Sequence, residues 1–140
     1  MKTVLFACVH NAGRSQMAAA WFNVLVNPER ARGISAGTEP GTRVHPEVLA
    51  AMLEVGIDLS QATPQFLSTA LAQAATLLIT MGCGEVCPAV PGLRRLDWPL
   101  EDPKGKELAR VRQIRDDVRG RVFRLLTAEG WARDSATSVL

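Results

Sequence analysis

The stretch Cys8-Val9-His10-Asn11-Ala12-Gly13-Arg14-Ser15 lies between an apolar run, Thr3 to Ala7, and a segment of helical composition, Gln16 to Phe22. A buried strand, a loop of small residues and then a helix constrain the fold more than anything else in the chain. This arrangement aims backbone N–H groups and a helix N-terminus at one point, which is how proteins hold oxyanions. Cys8 opens the loop and Arg14 closes it, so a nucleophile and a planar, two-pronged cation face the same anion.

Each loop residue has a physical task. The amides from Val9 to Ser15, with the helix N-terminus, supply positive potential that favours the thiolate of Cys8. Ser15 can donate a hydrogen bond to the Cys8 sulfur. Ala12 and Gly13 let the backbone wrap closely, and Asn11 suits bracing the loop from within. His10 is expected to contribute its amide rather than its ring. A free cysteine at a strand end is often only a small hydrophobe, but the strand and helix on either side argue against that here.

Strand and helix patterns alternate along the rest of the chain. Met1 to Ala7 reads as a buried strand, Ser15 to about Val26 as a helix ended by Asn27-Pro28, and Gly33 to Gly37 as a second strand. His45-Pro46-Glu47 opens a helix that Gly56 ends, and Thr63-Pro64 opens another through Phe66, Leu67 and Leu71. Ala75 to Thr80 is the clearest central strand, a Gly- and Pro-rich loop follows from Met81 to Gly92, and Arg95 to Trp98 is a fourth strand. From Gly105 to Leu126, Leu108, Val111, Ile114, Val118, Val122 and Leu125 form one helical stripe. The expected fold is α/β: a single-domain, three-layer architecture with a four-stranded parallel sheet flanked by helices. Residues 1–128 are expected to form that domain and residues 129–140 a flexible tail.

With 140 residues, 47% hydrophobic and 21% charged, the chain fits one globular domain. No apolar run reaches the roughly 18 residues of a membrane span, and the start lacks a signal-peptide pattern. The expected setting is cytoplasmic, with no membrane partner, and there three cysteines point to catalysis or metal binding rather than structure. A net charge of +2 is too mild for a nucleic-acid partner. The arginines at 110, 112, 115, 119, 121 and 124 alternate with Glu107, Asp116 and Asp117 and read as a solvated helix face.

The other two cysteines, Cys83 and Cys87, lie in Met81-Gly-Cys-Gly-Glu-Val-Cys-Pro88, directly after the central strand. On a regular helix their Cβ atoms would be ~5–6 Å apart, whereas a disulfide requires ~3.8 Å. Gly82, Gly84 and Pro88 loosen the segment, which looks built to rearrange. Two thiols without a nearby His or further Cys fall short of a closed zinc site.

Residues 8–15 resemble the phosphate-binding loop of the low-molecular-weight protein tyrosine phosphatase fold, which also follows a first strand. Ser35-Ala36-Gly37 and Glu101-Asp102-Pro103 resemble further segments of that family, so the likeness covers roughly residues 1 to 126. It implies that Asp102 is the general acid, with Asp97 a weaker alternative. With Cys83 and Cys87 added, the chain resembles the arsenate reductases of the phosphatase-like, thioredoxin-coupled class.

That resemblance implies arsenate as substrate, phosphate or sulfate as mimics, and a three-thiol relay through Cys8, Cys83 and Cys87. It also implies a monomer with no metal and no cofactor. The reductant would be thioredoxin, or a small thiol such as mycothiol, since the two cysteine motifs also resemble members that use one. Ala19 stands where potassium-binding members carry Glu, which speaks against a potassium site. A tyrosine phosphatase is the alternative, because the loop alone does not separate phosphate from arsenate. Aromatic substrates call for aromatic walls, however; the chain has no Tyr, and Trp21 and Trp98 are the only Trp residues near the functional segments. A non-catalytic oxyanion-binding module is a further reading, against which the intact loop and Asp102 argue.

Overall fold

The computed structural model describes residues 1–81 and 91–133. Four strands, β1 (Lys2–Cys8), β2 (Ala31–Gly37), β3 (Leu77–Thr80) and β4 (Arg94–Asp97), alternate with helices. The helices are α1 (Arg14–Leu25), α2 (Pro46–Leu53), α3 (Thr69–Ala74) and α4 (Leu108–Glu129). The sheet has the order β2-β1-β3-β4, and every neighbouring pair is parallel. β1 is the switch point: the chain moves from it to one side, to β2, and then to the other side, to β3 and β4. In such sheets the crevice for a ligand opens at the carboxyl ends of the strands beside the switch. The loop that begins at Cys8 stands there.

Side-chain alternation along β1 divides the core. Val4, Phe6 and Cys8 face the larger layer with Met17, Phe22, Leu25, Val48, Val118 and Val122. Leu5 and Ala7 face the smaller layer with Ala36, Leu67, Ala72 and Leu78. The helical stripe of α4 is buried at Val111, Ile114, Val118, Val122 and Leu125, as its spacing requires. α4 ends where Gly130 takes φ 73°, a left-handed cap that glycine adopts without strain.

Three expectations are corrected. Residues 63–67 are not helical; α3 starts at Thr69, capped by the Ser68 hydroxyl, which accepts from Leu71 N–H at 3.1 Å. Gly37 N–H instead donates to Gln65 O at 2.9 Å, and Leu67 N–H donates to Gly37 O at 2.8 Å. Pairing with the end of β2 therefore outcompetes the local helical preference. At the other end of the chain, α4 runs through Glu129 and the backbone then docks against Val26 through Ala132. The part of residues 129–140 that is described is thus packed, with Trp131 set edge-on to Phe22 at 6.4 Å between centroids. Finally, Arg115 is not on a solvated face. It is buried and donates to Ala51 O, Glu54 and Asp116.

Candidate active site

The loop from Cys8 to Gly13 is held from outside by its carbonyls. Thr38 N–H donates to Cys8 O at 3.3 Å, Glu39 to Val9 O at 2.7 Å, Gly41 to His10 O at 2.9 Å and His45 to Ala12 O at 2.9 Å. Gly13 O accepts from Met17 N–H at 3.0 Å, and Asn11 O accepts from the Gln16 side chain at 3.1 Å. With its carbonyls turned outward, the loop faces its N–H groups inward. Among the described residues no acceptor meets the amides of residues 10–15. Such a nest, continuous with the first turn of α1, is a ready anion site.

Asn11 makes the loop possible. Its φ is 51°, the left-handed region that Asn tolerates better than most residues. Its Oδ1 accepts from Gln65 N–H at 2.9 Å and from Gln16 Nε2 at 3.3 Å. Its Nδ2 donates to Ser15 Oγ at 2.8 Å. Because Ser15 Oγ accepts there, its own proton is available for Cys8 Sγ, 2.8 Å away. The sulfur is therefore an acceptor from the Ser15 hydroxyl. Cys8 itself is buried and free.

Arg14, the first residue of α1, crosses toward the segment after β4. Its Nη1 donates to Leu100 O at 3.1 Å, and its Nη2 lies 3.8 Å from Asp102 Oδ2. Asp102 Oδ1 accepts from Lys104 N–H at 3.0 Å, which sets the carboxyl within a tight turn. Asp97 has another partner: its Oδ1 accepts from Thr80 Oγ1 at 2.8 Å. The turn at Asp102-Pro103 touches the loop directly. A Cβ on Gly13 would stand 2.8 Å from Pro103 Cγ, so glycine there permits the approach. Gly37 is tighter still, since a Cβ would meet Val9 O at 2.6 Å and Asn11 N at 2.8 Å.

Of the residues expected at the site, the structure brings together Cys8, Val9, His10, Asn11, Ala12, Gly13, Arg14, Ser15 and Asp102. The His10 ring turns outward, with Nδ1 2.9 Å from Glu39 O. Cys83 and Cys87 lie outside the described residues. The last residue before that segment, Met81, donates its N–H to Ala7 O at 2.7 Å, next to the nucleophile. Trp21 and Trp98 are 5% and 8% exposed, too little for either to wall a substrate. Ala19 is buried, and Asn11 Oδ1 already accepts two hydrogen bonds, which leaves it poorly placed to coordinate a cation. Among the described residues no group of three His, Cys, Asp or Glu is placed to hold a metal, and no helix is long and apolar enough to cross a membrane.

Sequence reasoning missed Gln16, Gln65 and the strap from Thr38 to His45, all of which act on the loop. Gln16 is buried within a helix end, an unusual place for an amide without a partner. Burial is not legible in the sequence, so nothing there marked Gln16 out. Gln65 acts mainly through its backbone, which leaves no trace in side-chain identity.

The sequence pattern of the low molecular weight phosphotyrosine protein phosphatase family matches residues 3–134. The chain belongs to that family. An arsenate reductase of Bacillus cereus is 35% identical over 126 residues, spanning 88% of this chain and 92% of that one. A thioredoxin-dependent arsenate reductase of Corynebacterium glutamicum superposes with TM-score 0.79 at 38% identity, over 91% of this chain and 61% of that one. A solved arsenate reductase in an oxidized state superposes with TM-score 0.81 at 37% identity, over 91% of this chain and 98% of that one. Within the family, the chain is thus similar to proteins named for arsenate reduction.

Proposed function

We propose that the protein reduces arsenate to arsenite through thiols, in the cytoplasm, with Cys8 as the first nucleophile. What carries the reading is Cys8 itself: a buried sulfur 2.8 Å from a donor-ready hydroxyl, at the mouth of an amide nest closed by Arg14. The similarity to arsenate reductases then favours arsenate over its near-isostere phosphate.

In this reading the oxyanion rests on the loop amides and the Arg14 guanidinium. The Cys8 sulfur attacks arsenic, an S–As bond forms, and one oxygen departs as water with the proton of Asp102. Cys83 then attacks the Cys8 sulfur. The S–As electron pair passes to arsenic, which leaves as arsenite, and a Cys8–Cys83 disulfide remains. Both electrons come from the two thiols, so no other redox group is required. Cys87 attacks Cys83, frees Cys8 and leaves Cys83–Cys87 for thioredoxin to reduce by thiol exchange.

The test couples the protein to thioredoxin, its reductase and NADPH and follows arsenate-dependent NADPH loss. Cys83→Ser and Cys87→Ser should each stop multiple turnover while one round of attack at Cys8 survives. Full turnover by the Cys83→Ser protein with thioredoxin would sink the relay. A mixed disulfide of Cys8 with mycothiol after turnover would replace thioredoxin with a small thiol. The family membership keeps hydrolysis of aryl phosphates as a second reading, and the burial of both tryptophans counts against it. Fast aryl-phosphate hydrolysis without thiol-dependent arsenate loss would favour that reading instead.

A further inference from the structure

A second cleft, of about 280 Å³, runs along the seam where Gly41 and His45 hydrogen-bond to the outer side of the loop. Neither Cys8 nor Arg14 lines it; the polar side chains that do are His10, Thr42, Arg43, His45 and Lys104. Four of these carry nitrogen on cationic or protonatable groups, of which His10 Nδ1 already meets Glu39 O at 2.9 Å, and no carboxylate lines the cleft. Both histidines of the chain stand here. His45 and Pro46 begin α2, so the positive end of that helix opens onto the same space.

The cations of the cleft are uncommitted. Arg110, Arg112, Arg115 and Arg121 all form ion pairs, whereas Arg43 and Lys104 form none among the described residues. Glu39, Glu47 and Asp102 stand within two residues of the lining but do not line the cleft; Glu47 accepts from Gly105 N–H at 3.2 Å and Asp102 from Lys104 N–H at 3.0 Å. A concave site lined by one sign of charge concentrates counter-ions. Its volume falls below the ~300 Å³ at which pockets for drug-sized ligands begin, so the fitting ligand is small. Several separated N–H donors match an anion with several oxygens.

We propose that this cleft binds a second small, multiply charged oxyanion of the phosphate, sulfate or arsenate type, independently of the Cys8 loop. Because Lys104 N–H holds Asp102 Oδ1, the bound anion adjoins the turn that carries the expected general acid.

The two histidines provide the readout. Their imidazole signals are followed by two-dimensional ¹H–¹⁵N NMR while inorganic phosphate is added to the full-length Arg14→Ala protein, in which the Cys8 loop is weakened. Both signals should shift saturably, and sulfate present from the start should raise the phosphate concentration needed for half the shift, by competition. Adding Arg43→Gln and Lys104→Gln, both at exposed positions, should weaken the apparent affinity at least ~10-fold, the effect of about 1.4 kcal/mol of lost interaction. An unchanged affinity in that protein overturns the proposal. So does a shift that fails to saturate, or one seen with wild type but absent with Arg14→Ala. None of these outcomes depends on arsenate turnover, so the second site fails or stands apart from the relay.

Discussion

At the scale of single residues, the nucleophile is set by a chain of hydrogen bonds: Gln65 N–H to Asn11 Oδ1, Asn11 Nδ2 to Ser15 Oγ, and Ser15 Oγ to Cys8 Sγ. Ser15→Ala removes the last donor and should slow single-turnover attack by Cys8 about 10²-fold, as losing one preorganised donor does. Stopped-flow measurement of the first turnover checks this, with unchanged circular dichroism showing that the fold survives. The two crowded glycines should fail differently. In Gly13→Ala the new methyl meets the Pro103 ring, which can move away and take Asp102 with it. Turnover should fall while phosphate still binds. In Gly37→Ala the methyl meets backbone atoms of Val9 and Asn11, which cannot yield. That change should lower stability by about 1–3 kcal/mol in urea titrations and also weaken phosphate binding.

At the scale of elements, α2 and α4 are clamped by Glu54. Its carboxylate accepts from Arg112 Nε at 2.9 Å and from Arg115 Nη1 at 2.9 Å, and Arg115 also donates to Ala51 O at 2.9 Å. The hydrogen bond from Arg112, helped by Arg115, pulls the Glu54 carboxyl from 4.5 down to about 2. A carboxyl lowered in the folded state stabilises the fold above its unfolded value, and that contribution fades as pH falls toward the folded one. The gap in urea midpoint between wild type and Glu54→Gln should therefore be full near neutral pH and shrink between about 4.5 and about 2. Added salt should narrow it too, because the clamp lies at the surface.

At the scale of the whole molecule, the order β2-β1-β3-β4 makes β1 central and sends the ends of β1 and β3 to one edge. Met81, paired to Ala7, therefore starts the cysteine-bearing segment beside the nucleophile although 73 residues separate the two in sequence. The C-terminal end closes the opposite part of the fold. Asn27 N–H donates to Trp131 O at 2.7 Å and Arg133 N–H to Leu25 O at 3.2 Å, with Trp131 on Phe22. Ending the chain at Gly130 should cost about 1–3 kcal/mol, read as a lower melting temperature in calorimetry. Cys8 reactivity should be retained, since none of these contacts reaches the loop.

Amino-acid order alone determined the strand–loop–helix unit at Cys8–Ser15, the alternation of strands and helices, and the buried stripe of α4. Each of these is a local pattern of apolar spacing, small residues and end signals, and local physics suffices to read it. Tertiary structure decided what depends on partners distant in sequence. Residues 63–67 gave up a helix to pair with Gly37, and Arg115 went inside because Ala51, Glu54 and Asp116 satisfied its donors. Residues 131–133 folded back on the end of α1 rather than trailing as a tail. The same reason governs the oxyanion loop. Its sequence prescribes which amides are small enough to wrap an anion, but the strap at 38–45, reaching its carbonyls from outside, turns those amides inward.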